Sequence, residues 1–280
     1  MTSPTNAPRI TTRTAKVAAL LSVVALAAFW IGCGAKSGDS SDSGSATPLT
    51  TIHPDGKPVD AATAGSISGR IMLDGTPPAR KVINMAGVPP CAKQHVGDPA
   101  TTEDVVPGDN GTLQNVVVYL KGDFAAYAFA VPQDPATLDQ MGCQFRPHVL
   151  ALMTGQPLDV VSSDKVGHNV NAMAKVNRPW NHTLSPSMPA MHLSFSQPEV
   201  ALPVKCNIHP WMKAYIAVLD SPYFAVTGKD GSFALKNVPP GNYTLSAWHE
   251  AYGTVEQAVA IGPHESKSVT LTLKTAAASD

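Results

Sequence analysis

The sequence predicts an all-β protein built as a β-sandwich. The 280 residues include 25 prolines and 21 glycines, too many breakers for a fold of long helices. From Ser66 onward, short β-branched or alternating runs recur between Pro and Gly clusters, at intervals typical of a sandwich. No segment carries an amphipathic stripe of three helical turns. Hydrophobic residues, at 44%, are enough for a core, while charged residues make up only 15%, below the usual quarter. Twenty Lys and Arg stand against 21 Asp and Glu. No basic cluster is present to displace counterions from phosphates, which excludes a nucleic-acid binder.

The first 32 residues read as an address. Arg9, Arg13 and Lys16 precede an apolar run from Val17 to Ile31, short for a membrane span and right for a signal-peptide core. The run ends in Trp30-Ile31-Gly32-Cys33, which resembles the lipobox of bacterial lipoproteins and implies lipidation at Cys33. Trp30 departs from the Leu usual at that place. An uncleaved anchor and a plain secretory signal are the alternatives. Residues 33–65 are rich in Ser, Gly, Asp, Ala and Thr and read as a disordered tether with a reach of about 30 Å. Loss of residues 1–32 would leave 17 basic and 21 acidic residues, a balance that says little about partners.

The strands expected along the body are Ile67–Leu73, Leu113–Leu120, His148–Leu152, Pro157–Ser162, His168–Ala172, Met191–Phe195, Val200–Cys206 and Ala214–Leu219. Leu138–Gly142 is expected to hold a helical turn. In the last fifty residues, Asp230-Gly231-Ser232-Phe233 turns into one strand and Pro239-Pro240-Gly241-Asn242-Tyr243 into another. Val255–Ile261 and the strictly alternating Ser266–Lys274 follow. These two turn motifs resemble the carboxypeptidase regulatory-like (transthyretin-like) β-sandwich. Fifty residues are few for a whole copy. Ile67-Ser68-Gly69-Arg70-Ile71 resembles that family's first strand, so the N-terminal strand is expected to complete the module. The resemblance implies a scaffold or spacer without chemistry of its own.

Four cysteines are present. With Cys33 given to lipid, the other three cannot all pair in an oxidising compartment. A Cys91–Cys143 disulfide is the plain reading. A metal site from Cys91, His95, Cys143 and His148 is the alternative, at loose spacings. Cys206 is left over. It opens Cys206-Asn207-Ile208-His209-Pro210-Trp211-Met212, which offers a thiolate, an imidazole and a thioether at every third position. His168, in Gly167-His168-Asn169-Val170-Asn171, lies 38 residues upstream. A thiolate, two imidazoles and a weak axial thioether are the ligand set of an electron-transfer copper site.

The Cys-x2-His-x2-Met loop, with the upstream His-Asn-Val, resembles the cupredoxin family, and among its branches the amicyanins. The resemblance covers roughly residues 140–220. It implies a Greek-key β-sandwich holding one type 1 copper. His168, Cys206, His209 and Met212 would be the metal ligands, and Asn169 would tie the two ligand loops together. It further implies an electron port at the exposed edge of His209, ringed by Pro210 and Trp211. The expected domains are a cupredoxin-like body over 66–222, with 66–73 free to pair elsewhere, and a carboxypeptidase regulatory-like module over 223–275. A tail follows at 276–280.

Plain readings stand beside these. A lone buried Cys is usually inert core. Zinc could take Cys and two His but gains little from a thioether. His182 and His192, flanking Met188-Pro189-Ala190-Met191, read as a loop near the ligand loop before they read as copper handling, and His249-Glu250 as a surface or interdomain contact. None of the nine histidines lies two positions from another, so the His-x-His pairs of multicopper oxidases are missing. No GxSxG elbow, HExxH helix or P-loop occurs. The expectation is therefore a non-enzymatic electron carrier, exported to the periplasm or cell surface. It would be anchored to a membrane by its lipid and would serve a redox partner such as a c-type cytochrome or a dehydrogenase. The competing expectation is a cell-surface structural or carbohydrate- or protein-binding sandwich without redox work.

Overall fold

The computed structural model describes residues 50–275. The expected signal segment, the lipobox at Cys33, most of the tether and the tail at 276–280 lie outside the described residues. Among the described residues the only α-helix is the six-residue Pro89–Gln94, and no helix is long and apolar enough to cross a membrane. The described residues are nearly all β, arranged as two sandwiches.

The first sandwich faces a five-stranded sheet with a four-stranded one. Along the larger sheet run Trp180–Leu184, His168–Ala172, Glu199–Lys205, Lys213–Leu219 and Val149–Met153. Only the last pair is parallel. The smaller sheet contains Met191–Leu193, Leu158–Ser162, Ala136–Met141 and Gln144–Arg146. Alternating residues from both, among them Leu138, Phe145, Leu152, Val160, Val170, Leu202 and Ile216, fill the space between them.

The second sandwich sets Phe224–Val226, Val117–Lys121, Gly241–His249 and Gly253–Ile261 against Ser232–Val238, Gly65–Asp74 and Ser266–Lys274. Gly65–Asp74 pairs with both of its neighbours, parallel to Ser266–Lys274 over nine residues. The N-terminal strand thus sits in the middle of the C-terminal module's sheet. Phe124, Phe129, Tyr223 and Tyr243 cluster in its core, with Phe124 stacked on Tyr243 at a ring-centroid distance of 5.3 Å.

Four expectations need correcting. Val117–Lys121, assigned to the cupredoxin-like body, pairs instead with Phe224–Val226 and Gly241–His249 in the module. The reason is burial on both faces: Val116, Val118 and Leu120 point into the module core, while Val117 packs against Val149, Ala217 and Leu219 between the sandwiches. A strand apolar on both sides needs cover on both sides, which only the position between the two bodies gives. The expected tether ends earlier than residue 65. Thr51–Ile52 pairs with Phe129–Ala130, and Ile52 is buried against the module core. Leu138–Gly142 is no helical turn; Ala136–Met141 is a strand with Leu138 and Gln140 both inward. The buried amide of Gln140, which donates to the Asn169 carbonyl at 3.1 Å, disguises the alternation. Finally, of the two readings of His249-Glu250 only the interdomain one stands: Glu250 joins the sandwiches through His148 and Lys213, and His249 is fully buried rather than on the surface. Its ring stacks on Tyr252 at 5.0 Å, and its Nε2 has no hydrogen-bond partner.

The seam between the sandwiches is apolar at its centre, where Tyr215 meets Trp248 edge to face at 5.2 Å. Its rim is charged. Glu250 accepts from Lys213 at 2.6 Å and also bonds His148. Lys213, the residue after Met212, further pairs with Asp104. The module is thereby fastened directly to the strand that leaves the ligand loop.

Candidate metal centre

The loop Cys206–Met212 closes on itself because its two ends bond each other. The Cys206 amide donates to the Met212 carbonyl at 3.1 Å, and the Met212 amide to the His209 carbonyl at 2.9 Å. Pro210 fixes φ inside the turn. The neighbouring strand anchors the loop from the side: Asn169 Oδ1 accepts from the Asn207 amide at 2.6 Å, while its Nδ2 donates to Asn181 Oδ1 at 2.6 Å. Asn171 Nδ2 adds a bond to Asn207 Oδ1 at 3.2 Å.

This geometry gathers His168, Cys206 and His209, all buried, with ligand atoms within 4.8 Å of one another. The Nδ1 atoms of His168 and His209 face each other at 2.9 Å. Cys206 Sγ lies 3.8 Å from the same His209 Nδ1. Met212 is 1% exposed and belongs to the same core. Two ring nitrogens turned toward each other beside a sulfur, with no room for solvent, need a proton or a cation between them. The donor set and its burial therefore fit a soft or borderline metal ion.

Asp164 is a residue that the sequence reading missed. It is buried, and its Oδ2 bonds His168 Nε2 at 2.9 Å. Oδ1 accepts from the Gly142 amide at 2.9 Å, and Oδ2 from the Cys143 amide at 2.7 Å. With Nε2 engaged outward, His168 keeps Nδ1 for the interior, the role an outer carboxylate plays for a metal-bound imidazole. The only trace of this in the sequence is an acid four residues before His168.

The charges follow from these contacts. Burial alone would push the His168 imidazolium toward losing its proton, but bonds to Asp164 and Cys206 outweigh it and hold its pKa at about 9. Burial likewise opposes ionisation of Cys206, yet His168 and the surrounding backbone amides lower its pKa. His209 shifts down through burial and the neighbouring charge of His168. Asp164 is held below the usual carboxylate range against burial, by His168 and by the amides of residues 142 and 143. In the metal-free cluster His168 is therefore held toward its protonated form, and an incoming cation would have to displace that proton.

Cys91 and Cys143 are joined in a disulfide with Cα atoms 5.7 Å apart. Cys206 is the free cysteine among the described residues. The alternative metal set of Cys91, His95, Cys143 and His148 is not assembled, because the two sulfurs are spent on each other. His95 bonds the Gly142 carbonyl at 2.8 Å, and His148 turns to Glu250 at the seam. His182 and His192 are exposed, the latter paired with Asp159 at 2.7 Å.

The expected exposed edge of His209 is not exposed. The residue is 2% accessible, because the helix Pro89–Gln94 lays Cys91 over its ring, with Cys91 Sγ 3.9 Å from His209 Nε2. Pro210 is exposed and Trp211 half-buried.

A carboxypeptidase regulatory-like domain model matches residues 209–274. The match starts inside the ligand loop and takes in Lys213–Leu219, a strand of the first sandwich. No curated protein matches the chain. Among solved structures, a copper-containing nitrite reductase (NirK) from Thermus scotoductus SA-01 is similar at 24% identity and a TM-score of 0.29, over 32% of this chain and 23% of that one. A point mutant of amicyanin in its oxidised state is similar at 19% identity and a TM-score of 0.28, over 31% of this chain and 85% of its own. A purple cupredoxin from Nitrosopumilus maritimus is similar at 18% identity and a TM-score of 0.26, over 30% of this chain and 98% of its own. The family match thus falls on residues 209–274, and the likeness to the cupredoxins covers about a third of the chain.

Proposed function

We propose that this protein is an exported, lipid-anchored electron carrier that holds one type 1 copper through His168, Cys206, His209 and Met212. The observation that carries the reading is the convergence of two imidazole nitrogens and the free thiol of Cys206, buried and within 4.8 Å of one another. Copper bound there would supply a one-electron couple, Cu(I) to Cu(II). The rest is done by the chain. The closed loop and its Asn169 anchor hold the ligands in one arrangement, so little has to move when the charge changes. Asp164 orients His168. The surrounding apolar core keeps water away from the sulfur. A ring of ligands without an open position passes electrons and binds no substrate, so we assign no enzymatic reaction. The partner would be a redox protein such as a c-type cytochrome or a dehydrogenase, met outside the cytoplasm by a body tethered through Cys33. The carboxypeptidase regulatory-like module would serve as its mount.

The test is to add one equivalent of Cu(II) to the metal-free protein. An intense visible band from thiolate-to-copper charge transfer and a reversible redox wave are expected, and Cys206→Ala should abolish both. A colourless protein without a redox wave would leave a structural sandwich and overturn the reading.

A further inference from the structure

On a loop like Cys206–Met212, the outward edge of the second imidazole is the shortest way for an electron to reach solvent. In this chain that way is shut. Cys91 Sγ sits 3.9 Å from His209 Nε2, and both Cys91 and Cys143 are wholly buried, so the disulfide covers the ring without itself reaching the surface. The cover is tied into the site at three points. The Cys143 amide donates to Asp164 at 2.7 Å. The Cys143 carbonyl accepts from Trp211 Nε1 at 3.0 Å. Gln94, at the end of the covering helix, donates to Cys143 Sγ at 3.8 Å.

Trp211 is the side chain left with both properties a relay needs. Its ring lies against His209, centroids 5.2 Å apart and planes tilted by 43°. It is only half-buried, between Pro210, which is exposed, and the core. The bond from its indole nitrogen to Cys143 fixes its orientation. Among the described residues, the other ring in contact with His209 is that of His168, which is fully buried.

We infer that Trp211, and not the edge of His209, is where electrons enter and leave the site, and that the Cys91–Cys143 disulfide is the seal that enforces this route. The inference rests on the copper reading above. The step is a transfer of one electron from the reduced centre to an oxidised one-electron acceptor docked over Trp211. No bond forms or breaks and no proton moves; the indole carries the tunnelling path and ends unchanged. Tunnelling falls exponentially with distance, so removing the ring lengthens the gap and slows the transfer without altering the centre.

Two measurements on the whole chain test it. In copper-loaded protein, the electron self-exchange rate is read from NMR line broadening in mixtures of the two oxidation states. Trp211→Leu should slow it by an order of magnitude or more while the visible band and the reduction potential stay put, and Trp211→Phe should restore most of the rate. In metal-free protein, diethyl pyrocarbonate labelling followed by mass spectrometry reads access to His209 without any copper. His209 should resist labelling in the native chain and become reactive in Cys91→Ala/Cys143→Ala. Trp211→Leu exchanging as fast as the native chain with its band intact would overturn the route. Ready labelling of native His209 would overturn the seal. A native chain without the visible band would instead count against the copper reading.

Discussion

The two sandwiches spend their interiors differently. The module's core is built from Ile67, Ile71, Leu113, Leu245, Leu271 and a nest of aromatic rings, with Ser246, Thr227 and His249 among its few buried polar side chains. The other sandwich buries His168, His209, Asn169, Asp164 and Gln140, besides Gln144, His148, Asn177 and Glu199. Burying such groups costs free energy unless they are bonded. Here each of these side chains has at least one partner, and Asp164 alone meets two backbone amides and an imidazole. One region buries mostly apolar side chains. The other holds a bonded cluster of donors in its interior. The difference teaches where chemistry resides in this chain.

That contrast can be broken by a substitution on each side. Ile71→Ala removes a wholly buried side chain from the module core and should cost about 2–5 kcal/mol of stability, read from urea unfolding, with the copper band unchanged. A shift of the band would show that the two regions are not separate in function.

Acid should act on the buried His249 of the module. Burial lowers the His249 pKa to about 4, whereas the unfolded chain takes up a proton near 6.5. Because the folded value is the lower one, the unfolded state gains the proton first as pH falls. His249 therefore contributes nothing against stability above pH 6.5 and destabilises progressively between about 6.5 and 4. The full loss would be about 3 kcal/mol at most. Urea midpoints at pH 7 and pH 4.5 measure it, and His249→Leu should flatten that part of the profile. An unchanged slope in His249→Leu would place the acid sensitivity elsewhere.

The mildest change falls on the site. Asp164→Asn keeps the size of the side chain but removes the charge behind His168. Cu(II) affinity should drop roughly ten- to a hundredfold, measured by competition with a chelator. Unaltered affinity would mean that Asp164 serves only the loop carrying Cys143.

What the sequence revealed and what it concealed divide along physical lines. The ligand loop was legible because three donors lie within seven residues, where spacing alone fixes their relation. Ser266–Lys274 was legible because Val269, Leu271 and Leu273 alternate with polar, exposed neighbours. Trp180–Leu184 escaped notice as an edge strand whose middle residues are all exposed, so no alternation marks it. The place of Val117–Lys121 depends on partners more than a hundred residues away, and local pattern does not encode such pairing. The cover over His209 was concealed for the same reason. A disulfide 52 residues in span brings Cys91 to a ring 118 residues downstream, and nothing near either residue announces the meeting.

Four side chains must share one ion if the protein is to carry electrons as proposed. Anomalous diffraction from copper-loaded crystals, recorded at the copper edge, tests this most directly. The expected result is a single peak within bonding distance of Cys206 Sγ and the Nδ1 atoms of His168 and His209, with Met212 as the fourth side chain around it. A peak found instead at His182 or His192, with Cys206 left bare, would contradict it.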